Sequence, residues 1–141
     1  MSDVSIRYRP AWWVPGAHAQ TLWGKLVRRQ QLVPTRLERW ETPDDDFLEI
    51  HRLDAPATPG NDHAHIPHVL LLHGLEGSIH SHYAQALLAE MQRRGWSADL
   101  LIWRSCGSEP NRARRFYHSG ETGELAFVLR QIALGRPNAP L

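Results

Sequence analysis

The chain falls into two stretches with different patterns of apolar and polar positions, and the pattern changes near residue 67. Before that point, residues 37–41 and 47–53 are short runs with aromatic and aliphatic side chains, separated by a Pro-Asp-Asp-Asp turn at 43–46. Two such runs on either side of a turn are typical of a β-hairpin. Residues 54–67 are rich in proline, alanine, aspartate and histidine, which predicts a loop.

After residue 67 the pattern predicts strands and helices in alternation. Residues 68–73 and 99–103 are continuous apolar runs, which suit strands buried on both faces. Apolar residues between and after them recur at helical spacing, first at Tyr83, Leu87, Leu88 and Met91 and then at Leu125, Val128, Leu129 and Ile132. Strand, helix, strand and helix in this order predict a parallel sheet with right-handed crossovers. The predicted fold class is therefore α/β, with an antiparallel hairpin at one edge.

Composition and charge narrow the class of protein. The sequence has 141 residues, 42% of them apolar, and a formal net charge of +1. We therefore expect one globular domain rather than a disordered chain, and no nucleic-acid partner. One cysteine cannot form an internal disulfide, and the sequence has neither an apolar run of about 18 residues nor the apolar core of a signal peptide. The expected location is the cytoplasm.

The first 31 residues are basic and rich in tryptophan. Asp3 is their one acidic residue, against five basic ones, and Trp12, Trp13 and Trp23 lie among them. We predict a segment that wraps the domain, with its tryptophans covering apolar surface and its arginines in water. The alternative is a patch that contacts a membrane surface, so peripheral membrane contact stays open.

Two loops follow the predicted parallel strands, at the edge of the sheet where α/β proteins bind ligands. In the first, at residues 74–81, His73 and Gly74 come directly after the strand, where α/β-hydrolases place half of an oxyanion hole. Gly74 is expected to let the backbone turn so that the Leu75 amide faces the site. The alternatives are a plain tight turn and a phosphate cradle built on Gly74 and Gly77, although no Gly-Lys-Ser or Gly-Lys-Thr follows.

Four segments carry a resemblance to a known family. They are Trp12-Trp-Val-Pro-Gly-Ala-His-Ala-Gln-Thr-Leu-Trp23, Leu72-His-Gly-Leu-Glu-Gly-Ser78, Glu109-Pro-Asn-Arg112 and Tyr117-His-Ser-Gly-Glu-Thr122. In this order they resemble the YheT-like branch of the α/β-hydrolases over nearly the whole chain. One loop departs from the pattern, because the family has Arg-Gly-Cys-Ser-Gly-Glu where this sequence has Arg104-Ser-Cys-Gly-Ser-Glu109.

The resemblance implies a partial α/β-hydrolase fold and a serine hydrolase of the carboxylesterase type. In such enzymes the nucleophile lies on a Gly-x-Ser-x-Gly turn, and this pattern surrounds none of the serines, which are Ser2, Ser5, Ser78, Ser81, Ser97, Ser105, Ser108 and Ser119. The chain is then expected to be the N-terminal half of a single hydrolase domain, with the catalytic triad in the absent half. Its expected parts are a wrapping segment at 1–31, an edge hairpin and loop at 32–67, and a βαβα core at 68–141.

The resemblance also implies roles for the residues present. The Leu75 N–H would help to bind the oxyanion, His73 and Gly74 would shape its loop, and the candidate pocket residues are Glu76, Arg104 and Cys106. Implied substrates are small carboxylic esters with short or medium acyl chains, with lipid esters left open, and the chemistry requires no metal or cofactor. The alternative function is a non-catalytic binding domain or an inactive truncated product.

Other residues suggest further chemistry that we do not favour. Cys106 with His73 or His118 as its base could be a nucleophile, but a cysteine after a buried strand is more often a packing residue. Two further groups are expected to lie in solvated loops or turns rather than to bind a cation, namely His63, His65 and His68, and Asp44, Asp45 and Asp46. Arg112, Arg114 and Arg115 are expected to form a solvated face. We also expect an unpaired apolar edge beyond the strand at 99–103, and oligomers or aggregates of the isolated chain.

Overall fold

The computed structural model describes residues 9–27, 32–56 and 66–136. The described residues fall into two compact units, one up to residue 30 and one from residue 31 onward. The predicted loop at 54–67 lies largely outside the described residues, and so do His63 and His65.

The N-terminal unit contains the helix α1 (Ala17–Val27), which the sequence analysis did not predict. Gly16 precedes the helix with a φ of 79°. The Gln20 side chain donates a hydrogen bond of 3.0 Å to the Val14 carbonyl, so the turn before the helix is tied to its first turn. The Trp13 and Trp23 rings meet edge to face with centroids 5.4 Å apart. No helix among the described residues is long and apolar enough to cross a bilayer.

The second unit contains the predicted elements, each within a few residues of its expected bounds. A hairpin of β1 (Arg36–Thr42) and β2 (Asp46–Leu53) is followed by β3 (His68–Leu72), α2 (His82–Arg94), β4 (Ser97–Ile102) and α3 (Gly123–Gly135). The helix α2 ends at Gly95, whose φ of 69° is the left-handed conformation that glycine adopts without strain. The α/β class with an edge hairpin is confirmed.

The order of the strands differs from one expectation. The sheet order is β1-β2-β4-β3, in which β4 pairs antiparallel with β2 and parallel with β3. All six residues of β4 are buried, whereas β3 lies at the edge of the described sheet and its Leu72 is 43% exposed. The expectation of an unpaired edge beyond β4 is therefore wrong, because the crossover returns β4 to the inside, where the hairpin covers its other side.

The two helices lie on opposite faces of the sheet, and β4 supplies the core of both faces. Leu101 of β4 shares a buried cluster with Val128 and Ile132 of α3. Ala98 of β4 shares another with Leu88 of α2. Alternate side chains of a strand point to opposite faces, so this one strand holds both layers together. Because β3 and β4 are parallel, the loops that follow them begin at the same end of the sheet.

Candidate active-site loop

In the turn after β3, two backbone amides donate hydrogen bonds to side chains, and the amide between them has no acceptor among the described residues. The Gly77 amide closes the turn by donating to the Gly74 carbonyl at 3.1 Å, and Glu76 has a φ of 49° at its third position, as a type II turn requires. The Gly74 amide donates to the Tyr83 hydroxyl at 2.9 Å, and the Glu76 amide donates to the Tyr117 hydroxyl at 2.6 Å. The amide of Leu75, between them, has no acceptor among the described residues, and Leu75 is 89% exposed.

His73 is a buried residue that supports this turn. Its Nδ1 lies 2.7 Å from the Gly74 carbonyl oxygen, and its Nε2 accepts a hydrogen bond of 3.1 Å from the Trp103 amide. The pattern assigns the proton to Nδ1. Burial lowers the pKa of the His73 imidazole, against the opposing effect of the Gly74 carbonyl. Since both ring nitrogens are occupied and the ring is neutral, His73 holds the turn and has no nitrogen free to act as a base.

The glycine that the turn requires is Gly77 rather than Gly74. A Cβ added to Gly74 would meet nothing within 4 Å, and the φ of Gly74 is not positive. A Cβ added to Gly77 would lie 2.6 Å from the His73 Cβ and 2.6 Å from the Tyr83 hydroxyl oxygen. The expectation that the turn requires a glycine at position 74 is therefore wrong, since the crowded position is Gly77, at the end of the turn.

The loop after β4 brings Cys106 to the same edge. Cys106 packs beside Ala84, Leu100 and Ile102. Burial raises the pKa of the Cys106 thiol, and the nearby Glu76 carboxylate raises it further. A thiol with a raised pKa carries little of the reactive thiolate. This supports the packing role for Cys106 over the nucleophilic one.

Two acidic residues of β2 hold the loop after β4 in place. The buried Asp46 carboxylate accepts hydrogen bonds from five donors, including the amides of Arg112 and Ala113 and the side chain of Asn111. Burial works against its ionisation, but these donors outweigh burial and hold the pKa of Asp46 below its ordinary value. Glu49 accepts from both the amide and the hydroxyl of Ser108. Strand β2 of the hairpin therefore fixes the conformation of the loop after β4 through these hydrogen bonds.

Ser105 stands where the family has glycine, and it keeps the backbone conformation of a glycine, with a φ of 68°. A side chain in this region costs about 1–2 kcal/mol. We expect Ser105→Gly to raise the free energy of unfolding by about 0.5–1 kcal/mol, because the relief of strain exceeds the added freedom of the unfolded chain. Urea unfolding measures it, with Ser119→Gly as the matched control. Ser119 has no positive φ, so that change should destabilise, and a gain in both variants would contradict the explanation.

Arg104, a candidate pocket residue, is turned away from the Leu75 turn into a buried acidic cluster. Its guanidinium lies 2.8 Å from the carboxylates of Asp44 and Asp46 and 2.6 Å from that of Glu124. Hydrogen bonds from Arg104 are the main cause of a pKa of Asp44 far below its ordinary value. Arg104 is 3% exposed, because three carboxylates surround its guanidinium. This environment differs from the expected one, in which Arg104 lines a substrate pocket. Asp44 lies in the turn at 43–45, within the predicted range of 43–46, and Asp46 is the first residue of β2.

Glu124 is the least well satisfied member of this acidic cluster. The Arg104 Nε and Glu124 Oε1 atoms are close but not aligned as a hydrogen bond, so neither carboxylate oxygen of Glu124 has a donor among the described residues. Burial raises the pKa of Glu124, and the Arg104 charge only partly offsets that effect. Among the described residues, Arg104 is the only cation within 4.0 Å of the buried Asp46 and Glu124 carboxylates, so their stability in the fold depends mainly on it.

A serine, a histidine and an aspartate also lie close together near the amino ends of β3 and β4, away from the Leu75 turn. His68 Nδ1 lies 2.8 Å from the Ser97 hydroxyl oxygen, and His68 Nε2 lies 3.0 Å from an Asp99 carboxylate oxygen. All three residues are buried, and Arg136 donates to Ser97 while Arg52 donates to Asp99. The array lies at the amino ends of β3 and β4, where substrate has no access, so it is a structural network. The expectation of a solvated His68 is wrong.

The remaining candidates lie apart from the Leu75 turn. Arg112 pairs with Glu41, and Arg115 pairs with Glu121. His118 is exposed in the loop before α3. In the described part of the chain, no three histidine, cysteine or acidic side chains are grouped so as to hold a metal ion.

Comparison with known proteins places these features in a family context. No family model matches the chain. The chain is 37% identical over 136 residues to the Escherichia coli protein named "Putative esterase YheT", covering 96% of this chain and 39% of that protein. This confirms the resemblance indicated by the four sequence segments, and the chain spans well under half the length of this relative.

Two solved structures share the fold. An α/β serine hydrolase without a lid from Xanthomonas campestris superposes with a TM-score of 0.55 at 22% identity, covering 77% of this chain and 50% of that one. An α/β serine hydrolase homologue from Coxiella burnetii gives a TM-score of 0.54 at 18% identity, with the same coverage of 77% and 50%. The described elements are therefore those of a partial α/β-hydrolase fold.

Proposed function

Because the chain is similar to YheT along nearly its whole length, we propose that it forms part of an esterase-type serine hydrolase and supplies its oxyanion-binding loop. The observation that carries the proposal is the Leu75 amide in the turn after β3, which belongs to an exposed residue and has no acceptor among the described residues. A donor held in place before the substrate arrives stabilises the charge that develops on a carbonyl oxygen under attack.

In the proposed reaction a serine on a Gly-x-Ser-x-Gly turn, outside these 141 residues, attacks the ester carbonyl. A histidine takes the serine proton and gives it to the leaving alcohol, and water then releases the acid from the acyl-enzyme. The Leu75 N–H donates to the carbonyl oxygen while it is negatively charged. Neither His73 nor the Ser97–His68–Asp99 array takes part, because the first has no free nitrogen and the second is buried.

A cleft formed by the loop after β4 supports a small substrate. It encloses about 650 Å³, which is within the range of small-molecule sites, and its lining includes Pro110 and Phe116 together with Arg114. The apolar part of this mixed lining suits a short or medium acyl chain. Small carboxylic esters are therefore the substrate class that we propose for the complete enzyme.

The proposal is tested with a fluorophosphonate probe, which labels activated serines. We expect the 141-residue chain to stay unlabelled and inactive towards p-nitrophenyl acetate. A longer product of the same gene is expected to contain a Gly-x-Ser-x-Gly turn, to be labelled at its serine, and to lose hydrolysis when that serine is changed to alanine. Labelling of Ser97 or any other serine in the 141-residue chain would contradict the proposal, and so would a coding region that stops directly after Leu141.

A further inference from the structure

We propose that Tyr83 and Tyr117 are positioning residues for the Leu75 amide, an inference that rests on the proposed function. Their hydroxyl oxygens accept hydrogen bonds from the amides of Gly74 and Glu76, at 2.9 and 2.6 Å. These two amides lie immediately before and after that of Leu75. The backbone is thus held at a fixed point on each side, and the amide between the two points has no acceptor among the described residues.

The two tyrosines come from different elements, so they tie the turn to two parts of the fold at once. Tyr83 lies in the first turn of α2, and Tyr117 lies in the loop that follows β4. The Tyr117 ring stacks on Trp103 with centroids 6.2 Å apart and meets the edge of His73 at 6.0 Å. Aromatic contacts of this kind fix the ring itself. The Tyr117 hydroxyl is therefore held independently of the bond that it makes to Glu76.

The hydroxyl groups, rather than the rings, make the contacts that matter here. Each hydroxyl oxygen accepts an N–H from the turn, which leaves its own proton available to another acceptor. A change from tyrosine to phenylalanine removes the bond to the turn and keeps the ring stacking, so it separates positioning from packing.

The hydrogen bonds are tested on the 141-residue chain by amide hydrogen exchange measured by NMR. We expect Tyr83→Phe to speed exchange of the Gly74 amide about tenfold, and Tyr117→Phe to do the same for the Glu76 amide. The Leu75 amide should exchange fast in every variant. Each variant is the control for the other, since Tyr83→Phe should leave the exchange of the Glu76 amide unchanged and Tyr117→Phe that of the Gly74 amide. Unchanged exchange at both Gly74 and Glu76 would overturn the proposal.

The catalytic consequence is tested in the longer, ester-hydrolysing chain, with active sites counted by fluorophosphonate labelling. We expect each phenylalanine variant to lower kcat about 10-fold to 100-fold per labelled site, while KM changes by less than about twofold. A purely structural role would lower the number of labelled sites and leave kcat per site unchanged, and that result would overturn the positioning role.

The two experiments also separate this inference from the function on which it rests. Faster exchange in the variants, together with a wild-type longer chain that hydrolyses no ester, would overturn the proposed function and with it the catalytic purpose of the tyrosines. Faster exchange together with lower kcat per site would support both. Hydrolysis that falls without any change in exchange would overturn the tyrosine contacts and leave the esterase function standing.

Discussion

Replacing Arg104 with leucine is expected to lower the free energy of unfolding by about 3–5 kcal/mol, which is the usual effect of removing one partner from a buried ion pair. The reason is the number of charges that this residue serves. Asp46 and Glu124 are buried, and both lie within 2.8 Å of the guanidinium. Without it, their carboxylates must lose their charge or draw water into the core. The measurement is urea unfolding followed by tryptophan fluorescence and circular dichroism.

Arg93 provides the matched control for this prediction. Its side chain is 69% exposed and pairs with Glu90 on the surface of α2, so Arg93→Leu should cost less than about 1 kcal/mol. Arg104→Lys keeps the charge but loses the planar group that reaches several carboxylates, and its stability should fall between that of the wild type and the leucine variant. Equal losses for Arg93→Leu and Arg104→Leu would show that the buried cluster has no special dependence on Arg104.

Changing Gly77 to alanine is expected to lower kcat about 100-fold to 1,000-fold in the longer, ester-hydrolysing chain, the effect of losing one oxyanion donor. The added Cβ would lie 2.6 Å from the His73 Cβ, an atom close to the backbone that cannot swing aside. The turn must therefore move, and the Leu75 amide moves with it. Steady-state kinetics with p-nitrophenyl esters measures the effect, and Gly135→Ala, at the end of α3 with nothing within 4 Å, is the control for activity.

The same substitution has a readout that does not depend on hydrolysis. In the 141-residue chain, Gly77→Ala should lower the free energy of unfolding by about 1–3 kcal/mol, as overpacking does elsewhere. Gly74→Ala should change it by less than about 0.5 kcal/mol, because its Cβ would meet no neighbour. If Gly74→Ala destabilised the chain and Gly77→Ala did not, the assignment of the crowded position would be reversed.

Local pattern predicted most of the second unit because each element carries its own signal. The apolar runs in β3 and β4 and the helical spacing in α2 and α3 depend on residues close in sequence. The order of the strands was not predictable in the same way. Residues 68–72 and 97–102 have similar apolar runs, yet one lies at the edge and the other at the centre. What distinguishes them is the pairing of β4 with the hairpin, which no local pattern encodes.

The same difference between local and long-range signals applies to the candidate site. The position of Leu75 after β3 follows from the spacing of His73 and Gly74. Asp44 and Asp46, two of the acidic partners of Arg104, instead lie about 60 residues earlier in the chain. The Ser97–His68–Asp99 array is likewise produced by the parallel register that places His68 beside Ser97. The helix α1 did have a signal, since Leu22 and Leu26 are four residues apart, as are Trp23 and Val27. Its short length and the flanking prolines obscured that signal.

The central place of β4 also determines when the sheet can form during synthesis. The β1–β2 hairpin is complete once residue 53 has left the ribosome, and β3 follows at residue 72, but β3 pairs with neither strand of the hairpin. They share a neighbour that is made last, at residues 97–102. A nascent chain that pauses before this segment holds β3 without a partner, and its apolar side chains are open to chaperones. Emergence of β4 then closes the sheet in one step, so the translation rate through residues 73–102 determines how long that intermediate lasts.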